Sequence, residues 1–573
     1  MKRSVSLLLA LALPWGFGPS LAAEDGTARK IEELEKQIQQ LKELIEDEEI
    51  PARLDQVERK SAMDRLLFTG ELRIAADSID GTQPAYYNGM MLQKGLVDTL
   101  FYTQTSPYGS PVYDPAWDPA DPQSIYQLLE QNVAANYGEY LYFTSRLGFD
   151  DLKQAVGGFP PDEVAALMEL LTPGTYVPAR DYTNDIMYTT RLRMNMQAEI
   201  SPNLKFHGRL TMYKVWGDST GVQVFNGQPN TMNVDGTTVG VPGSDLVHVD
   251  RAFFSWNHIG GTGFYLSLGR RPSTAGPPLE IREGRLRGGT PTGHVVDYQF
   301  DGATLGWVVG NKWNSVLRFC YGVGYESGFG NGEQLQAPAD RLKDVNLGGL
   351  NIDVFSSPRM FVQATAFRAF DVTDGFNALI VMPVDPVTGN PAPGPAVMRM
   401  TPSANLGDLD LLALLVERHD GPVHWFVSMA SVSSDPKNVT TPFGGLFSDP
   451  FETPQSHSGS SVYAGFRWDL PNGSTQLGVE YNHGSKYWFN FTHAADDIVL
   501  SKLATRGDVW EFYWNQELAS RARLRLSVLD YKYDYSGSGW HVGAPKDLSA
   551  TPILGFPTYD DVLNVRLALT IKY

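Results

Sequence analysis

The residues best placed to do chemistry are arginines and glutamates at every second position of strand-like stretches. Arg191, Arg193, Asn195, Gln197 and Glu199 alternate with Leu192, Met194, Met196, Ala198 and Ile200, and Arg521, Arg523 and Arg525 alternate with Ala522, Leu524 and Leu526. Successive side chains of a strand point to opposite faces, so each stretch carries its charge on one face. Around a closed lumen, Arg191, Arg193, Arg209, Arg318, Arg467, Arg523, Arg525 and Arg566 would face Glu71, Glu199, Glu480 and Glu511. Fixed charge in a narrow pore concentrates counter-ions and raises their flux, which gives selectivity without catalysis. A second group, Arg270, Arg271, Glu280, Arg282, Glu283, Arg285 and Arg287, surrounds Gly276, Pro277 and Pro278, which permit a sharp bend. The expectation is a pore constriction crossed by a field and preferring anions. The alternative is that these charges pair across the lumen and select nothing.

The elements that must position these charges are strands. At the C-terminus Val565, Leu567, Leu569, Ile571 and Tyr573 alternate with Arg566, Ala568, Thr570 and Lys572. An apolar face ending on an outward aromatic suits a transmembrane barrel, with lipid outside and water within, and reads as an assembly signal for barrel-assembly machinery. Similar units recur from Phe68 onward, at about 66–77, 186–200, 204–216, 246–257, 263–271, 296–309, 315–326, 345–355, 359–370, 408–418, 423–433, 460–469, 475–484, 507–516, 521–533 and 560–573. This predicts an all-β fold, a transmembrane antiparallel barrel of about sixteen strands with about eight short turns and eight long loops. Both chain ends fall on the short-turn side, which would be periplasmic. Trp256, Trp307, Trp313, Trp425 and Trp468 sit near strand ends, where interfacial girdles form.

Other segments bound the organisation. Lys2, Arg3, the apolar run from Val5 to Pro14 and Ser20-Leu21-Ala22 read as a signal peptide over 1–22. In 23–64, Ile31, Leu34, Ile38, Leu41 and Ile45 form a heptad seam, a periplasmic coiled coil whose simplest partner is another copy of the chain. A homo-oligomer, with a trimer favoured, is expected through this coil and the barrel. Residues 65–573 form the barrel, with a first external loop at 78–184 and a constriction loop, the third, at 272–295. In the first loop, Asp121-Pro122 starts a helix that Gly138 ends, with Ile125, Leu128, Leu129 and Val133 on one face. A second helix near Asp162 carries Val164, Leu167, Met168 and Leu171. This loop is expected to cap the mouth.

Over 573 residues no run of about twenty apolar residues follows the leader, so helical spans are not expected. The longest apolar block, Leu409 to Val416, is strand-length. The net charge of −19 argues against nucleic acid, and the single Cys320 rules out an internal disulfide. The run from Asp114 to Asp121 lacks the glycine and oxygen spacing of a Ca²⁺ loop, so no metal or cofactor is expected. Tyr86, Tyr87, Trp117 and Trp488 either form a sugar slide at the mouth or pack loops.

With these features in place, the chain resembles Gram-negative porins. More narrowly, Asn203 to Lys214, Gly269 to Ser273 and Glu480 to Ser485 resemble a family of proteobacterial porin-type proteins without an assigned substrate. The resemblance implies an outer-membrane channel, embedded in outer-membrane lipid and passing small hydrophilic solutes. Two other readings stand beside it. One is a barrel that sheathes or supports an outer-membrane complex, such as one with a cytochrome. The other is an outer-membrane phospholipase, which His483 two residues before Ser485 resembles. With no compelling Asn or Asp near them in the sequence, the chain is expected not to be an enzyme.

Overall fold

The computed structural model describes residues 32–39, 66–157, 161–217, 242, 244–284, 286–327, 342–374, 404–493 and 495–573. The chain divides into two units, Met1–Leu66 and Leu67–Tyr573. In the first, residues 32–39 form a helix on which Leu34 and Ile38, two seam positions, are both exposed. The leader and the other seam residues lie outside the described residues.

The second unit is a closed antiparallel barrel of sixteen strands. In chain order they are β1 Leu66–Gln83, β2 Arg180–Ser201, β3 Leu204–Val215, β4 Ser244–Trp256, β5 Phe264–Arg270, β6 Asp301–Val308, β7 Val316–Tyr325, β8 Val345–Ser356, β9 Met360–Thr373, β10 Asn405–Asp420, β11 Val423–Pro436, β12 Ser458–Asp469, β13 Thr475–Gly484, β14 Gly507–Ala519, β15 Ala522–Tyr533 and β16 Asp561–Lys572. Each strand pairs with its neighbours in sequence, and β1 pairs with β16 from Glu71↔Lys572 to Thr82↔Asp561 to close the ring. Sixteen strands leave fifteen connections, which alternate between eight long loops and seven short turns. The loops, L1 to L8, emerge at one end, and the termini of the barrel lie at the other.

Alternation sets the two faces. In β16, Leu563, Leu567 and Ile571 are exposed outward while Val562, Asn564, Arg566 and Ala568 are buried inward. Closure uses the final aromatic: Tyr573 exchanges backbone hydrogen bonds with Gly70 (2.9 and 3.0 Å), and a Cβ on Gly70 would lie 2.3 Å from the Tyr573 ring. The five tryptophans named above all lie at the short-turn end, as one girdle. Trp510 beside Tyr481 (4.6 Å) and Trp216 stacked on Tyr188 (5.2 Å) lie toward the loop end.

L1 is a helical subdomain. Its helices are α1 Gly89–Thr105, α2 Ser124–Ala135, α3 Tyr137–Thr144, α4 Phe149–Gly157 and α5 Pro161–Leu171. Gly138 does not end the helical run as expected. The break falls at Asn136, and Gly138 lies within α3, whose Tyr140 is buried against Phe101. Leu92, Leu96, Ile125, Leu128, Leu129, Leu152 and Leu171 form a core of L1's own. Thus the α2 stripe packs mainly against α1, a helix the sequence reading did not anticipate. Tyr86–Asn88 of L1 is the centre of a small sheet, pairing in parallel with Ile553–Gly555 of L8 and antiparallel with Tyr176–Val177 of L1. Lys153 donates to the Thr440 carbonyl of L6 (3.4 Å), so L1 rests on other loops above the barrel.

Candidate functional site: the charged lumen

Among the described residues, two loops enter the lumen. L3, between β5 and β6, turns back at Gly276, where a Cβ would lie 1.8 Å from the Pro291 carbonyl oxygen; no side chain fits there. The short helix α6, Leu279–Glu283, follows and ends at Gly284 in a left-handed conformation. L7, between β13 and β14, joins L3 through a bridge in which Phe491 donates to Val295 O (2.9 Å) and Asp297 to Phe491 O (2.7 Å). Asn490 reinforces the union by donating to His294 O and Leu503 O, both at 2.8 Å. His294 itself lies between the Ser428 and Ser461 hydroxyls, each 2.9 Å away.

The expected constriction residues separate into three groups. Arg282 reaches across to Glu511 of β14 (3.2 Å), and Glu511 also accepts from Lys502 of L7 and from Arg525 of β15. Lys502 bridges to Glu480 of β13, which accepts the Tyr463 hydroxyl (2.6 Å). The terminal carbonyls of α6 are capped by the wall: Asn515 donates to Arg282 O (3.0 Å) and Arg523 to Glu283 O. A second group is Arg287, held between Glu280 and Glu417 of β10 over the Phe361 ring. The third pair stays near the root of L3. Arg270 pairs with Asp301 (3.0 Å), and Arg271 donates to Ser267 (3.1 Å) and Thr304 on the β5–β6 wall. Arg285 lies outside the described residues.

Of the expected lumen wall, Arg191, Arg193, Arg209, Glu480, Glu511 and Arg566 are buried inside the barrel. Arg191 pairs with Glu71 and Asp496 (2.8 Å each), Arg193 with Glu71 (3.5 Å), Arg209 with Asp250 and Arg566 with Asp77 (2.7 Å). Glu199 is different: it sits exposed near the short-turn end and pairs with Lys205. Lys502, Asp496, Asp497 and Asp77 were not singled out from the sequence. Asp77 extends the β1 alternation two steps past Arg73 and was legible in principle; the L7 residues carry no periodic signal.

Between the inserted loops and β1, β2 and β14–β16 lies a cavity of about 90 Å³. Seven basic side chains (Arg73, Arg191, Arg282, Arg523, Arg525, Arg566 and Lys572) line it against five acidic ones (Glu71, Glu283, Asp496, Asp497 and Glu511). A larger cavity of about 310 Å³, mostly apolar, lies among α1, L6 and L8 at the loop end. Nearby His541 of L8 donates to Thr373 O, and burial lowers its pKa to about 4. In L1, burial and the Asp114 carboxylate raise Tyr102 to about 12.

The aromatics named as a sugar slide pack loops. Tyr86 lies in the small sheet, Tyr87 meets Tyr176 (5.8 Å), Trp117 adjoins the L1 core and Trp488 is fully buried, donating to Leu503 O (2.7 Å). His483, by contrast, does have an acidic neighbour: its Nδ1 lies 3.0 Å from Asp508, a cross-strand residue that sequence proximity hides. The Ser485 hydroxyl accepts from the Ser460 backbone N–H (2.8 Å).

The fold and this interior define a transmembrane barrel of the outer-membrane kind with two loops folded inside. Residues 181–573 match the family described as "Protein of unknown function (DUF3373)", and the chain belongs to that family. None of the curated proteins matches. Solved structures that resemble the chain include in-vitro folded OmpT, an outer membrane protein of Vibrio cholerae (11% identity, 68% of this chain and 92% of that one, TM-score 0.35). Outer-membrane expressed OmpT of the same organism matches at 13% identity over 67% of this chain and 89% of that one, TM-score 0.34.

Proposed function

We propose that the chain is an outer-membrane channel for passive diffusion of small hydrophilic solutes, preferring anions. The observation that carries this reading is the unequal lining of the lumenal cavity, seven basic side chains against five acidic. Arginines remain charged at any accessible pH, so the excess is permanent. Near low-dielectric walls it draws anions in and repels cations. On this reading the long loops face outward, the termini are periplasmic, the chain trimerises through barrel and coil, and it is not an enzyme. Reversal potentials of the purified protein in a planar bilayer under a salt gradient test it. Anion-side potentials are expected; cation preference, or none, ends the selectivity reading, and no discrete conductance ends the channel reading.

A second reading, a barrel that supports a complex without conducting, is favoured by one feature. Leu279, Ile281, Phe361, Leu415, Phe426, Tyr463 and Leu503 form an apolar cluster inside the barrel, as in a filled lumen. Single-channel recording separates the two. The phospholipase reading gains Asp508 as an orienting group for His483, but Ser485 is engaged with the Ser460 backbone. Ser485→Ala should leave any lipase activity of the preparation unchanged.

A further inference from the structure

The arginine cluster formed by β1, β2 and β16 in the lumen is already occupied, by a piece of the protein. Asp496 of L7 extends its carboxylate between Arg73 of β1 and Arg191 of β2. Arg73 grips both oxygens with its two terminal nitrogens, one contact being 2.9 Å, and Arg191 Nη1 donates at 2.8 Å. Arg566 of β16 donates to the Asp496 main-chain carbonyl (2.7 Å). A planar fork on both oxygens of one carboxylate is the geometry by which guanidinium groups recognise carboxylates.

The cluster retains unused capacity. Among the described residues, Arg73 Nε, Arg191 Nε and Arg566 Nη2 are buried without a hydrogen-bond partner, and each belongs to a side chain at least nine-tenths buried. Buried N–H groups without partners are costly, and a ligand supplying oxygens relieves that cost. Four guanidinium groups, Arg73, Arg191, Arg193 and Arg566, are ion-paired here with Glu71, Asp77 and Asp496, while Glu283 and Asp497 stand on the same cavity wall. Withdrawing Asp496 removes the carboxylate that Arg73 and Arg191 share. The cluster borders the 90 Å³ cavity, which extends to Thr570 and Lys572 at the short-turn end.

We propose that Arg73, Arg191 and Arg566 form a binding site for the carboxylate of a permeating solute, and that Asp496 is a tethered competitor which the solute displaces. The proposal rests on the channel reading and narrows its substrates to carboxylate-bearing molecules. A carboxylate is chosen over phosphate because the present occupant is one, held by a flat two-pronged contact.

The test uses the full-length protein with succinate and inorganic phosphate as probes. Two readouts are made: block of chloride current in planar bilayers, and calorimetric binding in detergent. If Asp496 occupies the site about nine-tenths of the time, Asp496→Asn should tighten succinate about tenfold, because the competent fraction rises by that factor. Arg191→Gln should weaken succinate in both readouts, and Arg191→Lys should restore it only partly. Succinate should bind more tightly than phosphate. Unchanged or weaker succinate binding in Asp496→Asn overturns the competitor role, and Asp496→Ala serves as a second variant if the first assembles poorly. Phosphate outcompeting succinate overturns the ligand class. A protein that never conducts but still binds succinate calorimetrically, more tightly as Asp496→Asn, retains the site and loses the channel.

Discussion

The two sides of the lumen are built on opposite principles. Along β8–β12 a large apolar surface faces inward among polar groups such as Glu417, Ser428 and Ser461: Leu347, Phe361, Phe367, Leu409, Leu411, Leu415, Phe426 and Tyr463 are buried against Leu279, Ile281 and Val296 of L3 and Trp488, Phe489 and Leu503 of L7. Along β14–β16, β1 and β2 the inward face clusters arginine and carboxylate, with Val509, Leu529, Tyr531 and Val562 as an apolar group nearer the loop end, and there the loops touch the wall through carbonyls and charged ends. One side anchors the loops by excluding water, at about 25 cal/mol per Å² of apolar surface. The other holds them by exchangeable polar contacts and keeps a cavity. A lumen needs both, because a plug without an anchor leaves and a plug anchored all round conducts nothing.

The largest break in this comparison is expected where the two principles meet, at Lys502. Its ammonium lies between Glu480 and Glu511, and all three side chains are about 2% exposed or less. Lys502→Met removes the one cation ion-paired with Glu480 among the described residues and leaves a buried carboxylate facing the Tyr463 hydroxyl. Stripping one partner from a buried ion pair costs about 3–5 kcal/mol. L7 should detach, seen as new protease cleavage between β13 and β14 and a larger single-channel conductance. Intact L7 would mean that apolar anchoring alone suffices.

The apolar anchor itself is tested by Phe426→Ala. Its ring is 1% exposed and packs on Tyr463 (4.7 Å) beneath α6. Removal should cost about 3 kcal/mol in lost burial and cavity. Conductance should rise and become noisier, while the reversal potential stays put, because no charge has moved. A shifted reversal potential would show that this side takes part in selection.

The charged side is tested by Arg525→Gln. Glu511 keeps Arg282 and Lys502, so the stability loss should be about 1–3 kcal/mol, that of one charged hydrogen bond. The reversal potential should move toward the cation side with little change in conductance. No movement would place the selecting charges elsewhere.

The same contrast explains what the sequence disclosed. Strands on the charged side alternate apolar and polar, so β2, β15 and β16 and their inward arginines stood out. Strands on the apolar side have oily residues on both faces: Leu409, Leu411 and Leu415 are buried inside while Leu412 and Leu414 are exposed to lipid. That is why Leu409 to Val416 read as an apolar block broken only by Asp410. The block was itself the sign of a filled half-lumen. L3 was recognisable by its Gly-Pro-Pro bend and clustered charge. L7 was not, because its insertion depends on distant partners, such as His294 with Asn490, 196 residues apart. Asp508 beside His483, only 25 residues on, was hidden because the register of β13 on β14 decides that contact.

The smallest expected effect concerns pH, and again it separates the two sides. His541 of L8 packs near Phe489 (5.3 Å) and Trp540 (5.6 Å) and donates to Thr373 O at the end of β9. Burial lowers its pKa to about 4, against about 6.5 when unfolded. The unfolded or opened state therefore binds more protons between those values, so the loop's stability is complete above about pH 6.5 and is lost as pH falls toward 4. The full shift, discounted for partial solvent access, is about 2 kcal/mol. Tryptophan fluorescence of L8 and its protease sensitivity should change over that window in the native protein and much less in His541→Gln. Arginines do not titrate there. The proposed anion preference should therefore survive the loosening of the part of L8 that packs on the apolar cluster through Val542, and loss of preference along the same curve would mean that the two sides act as one unit.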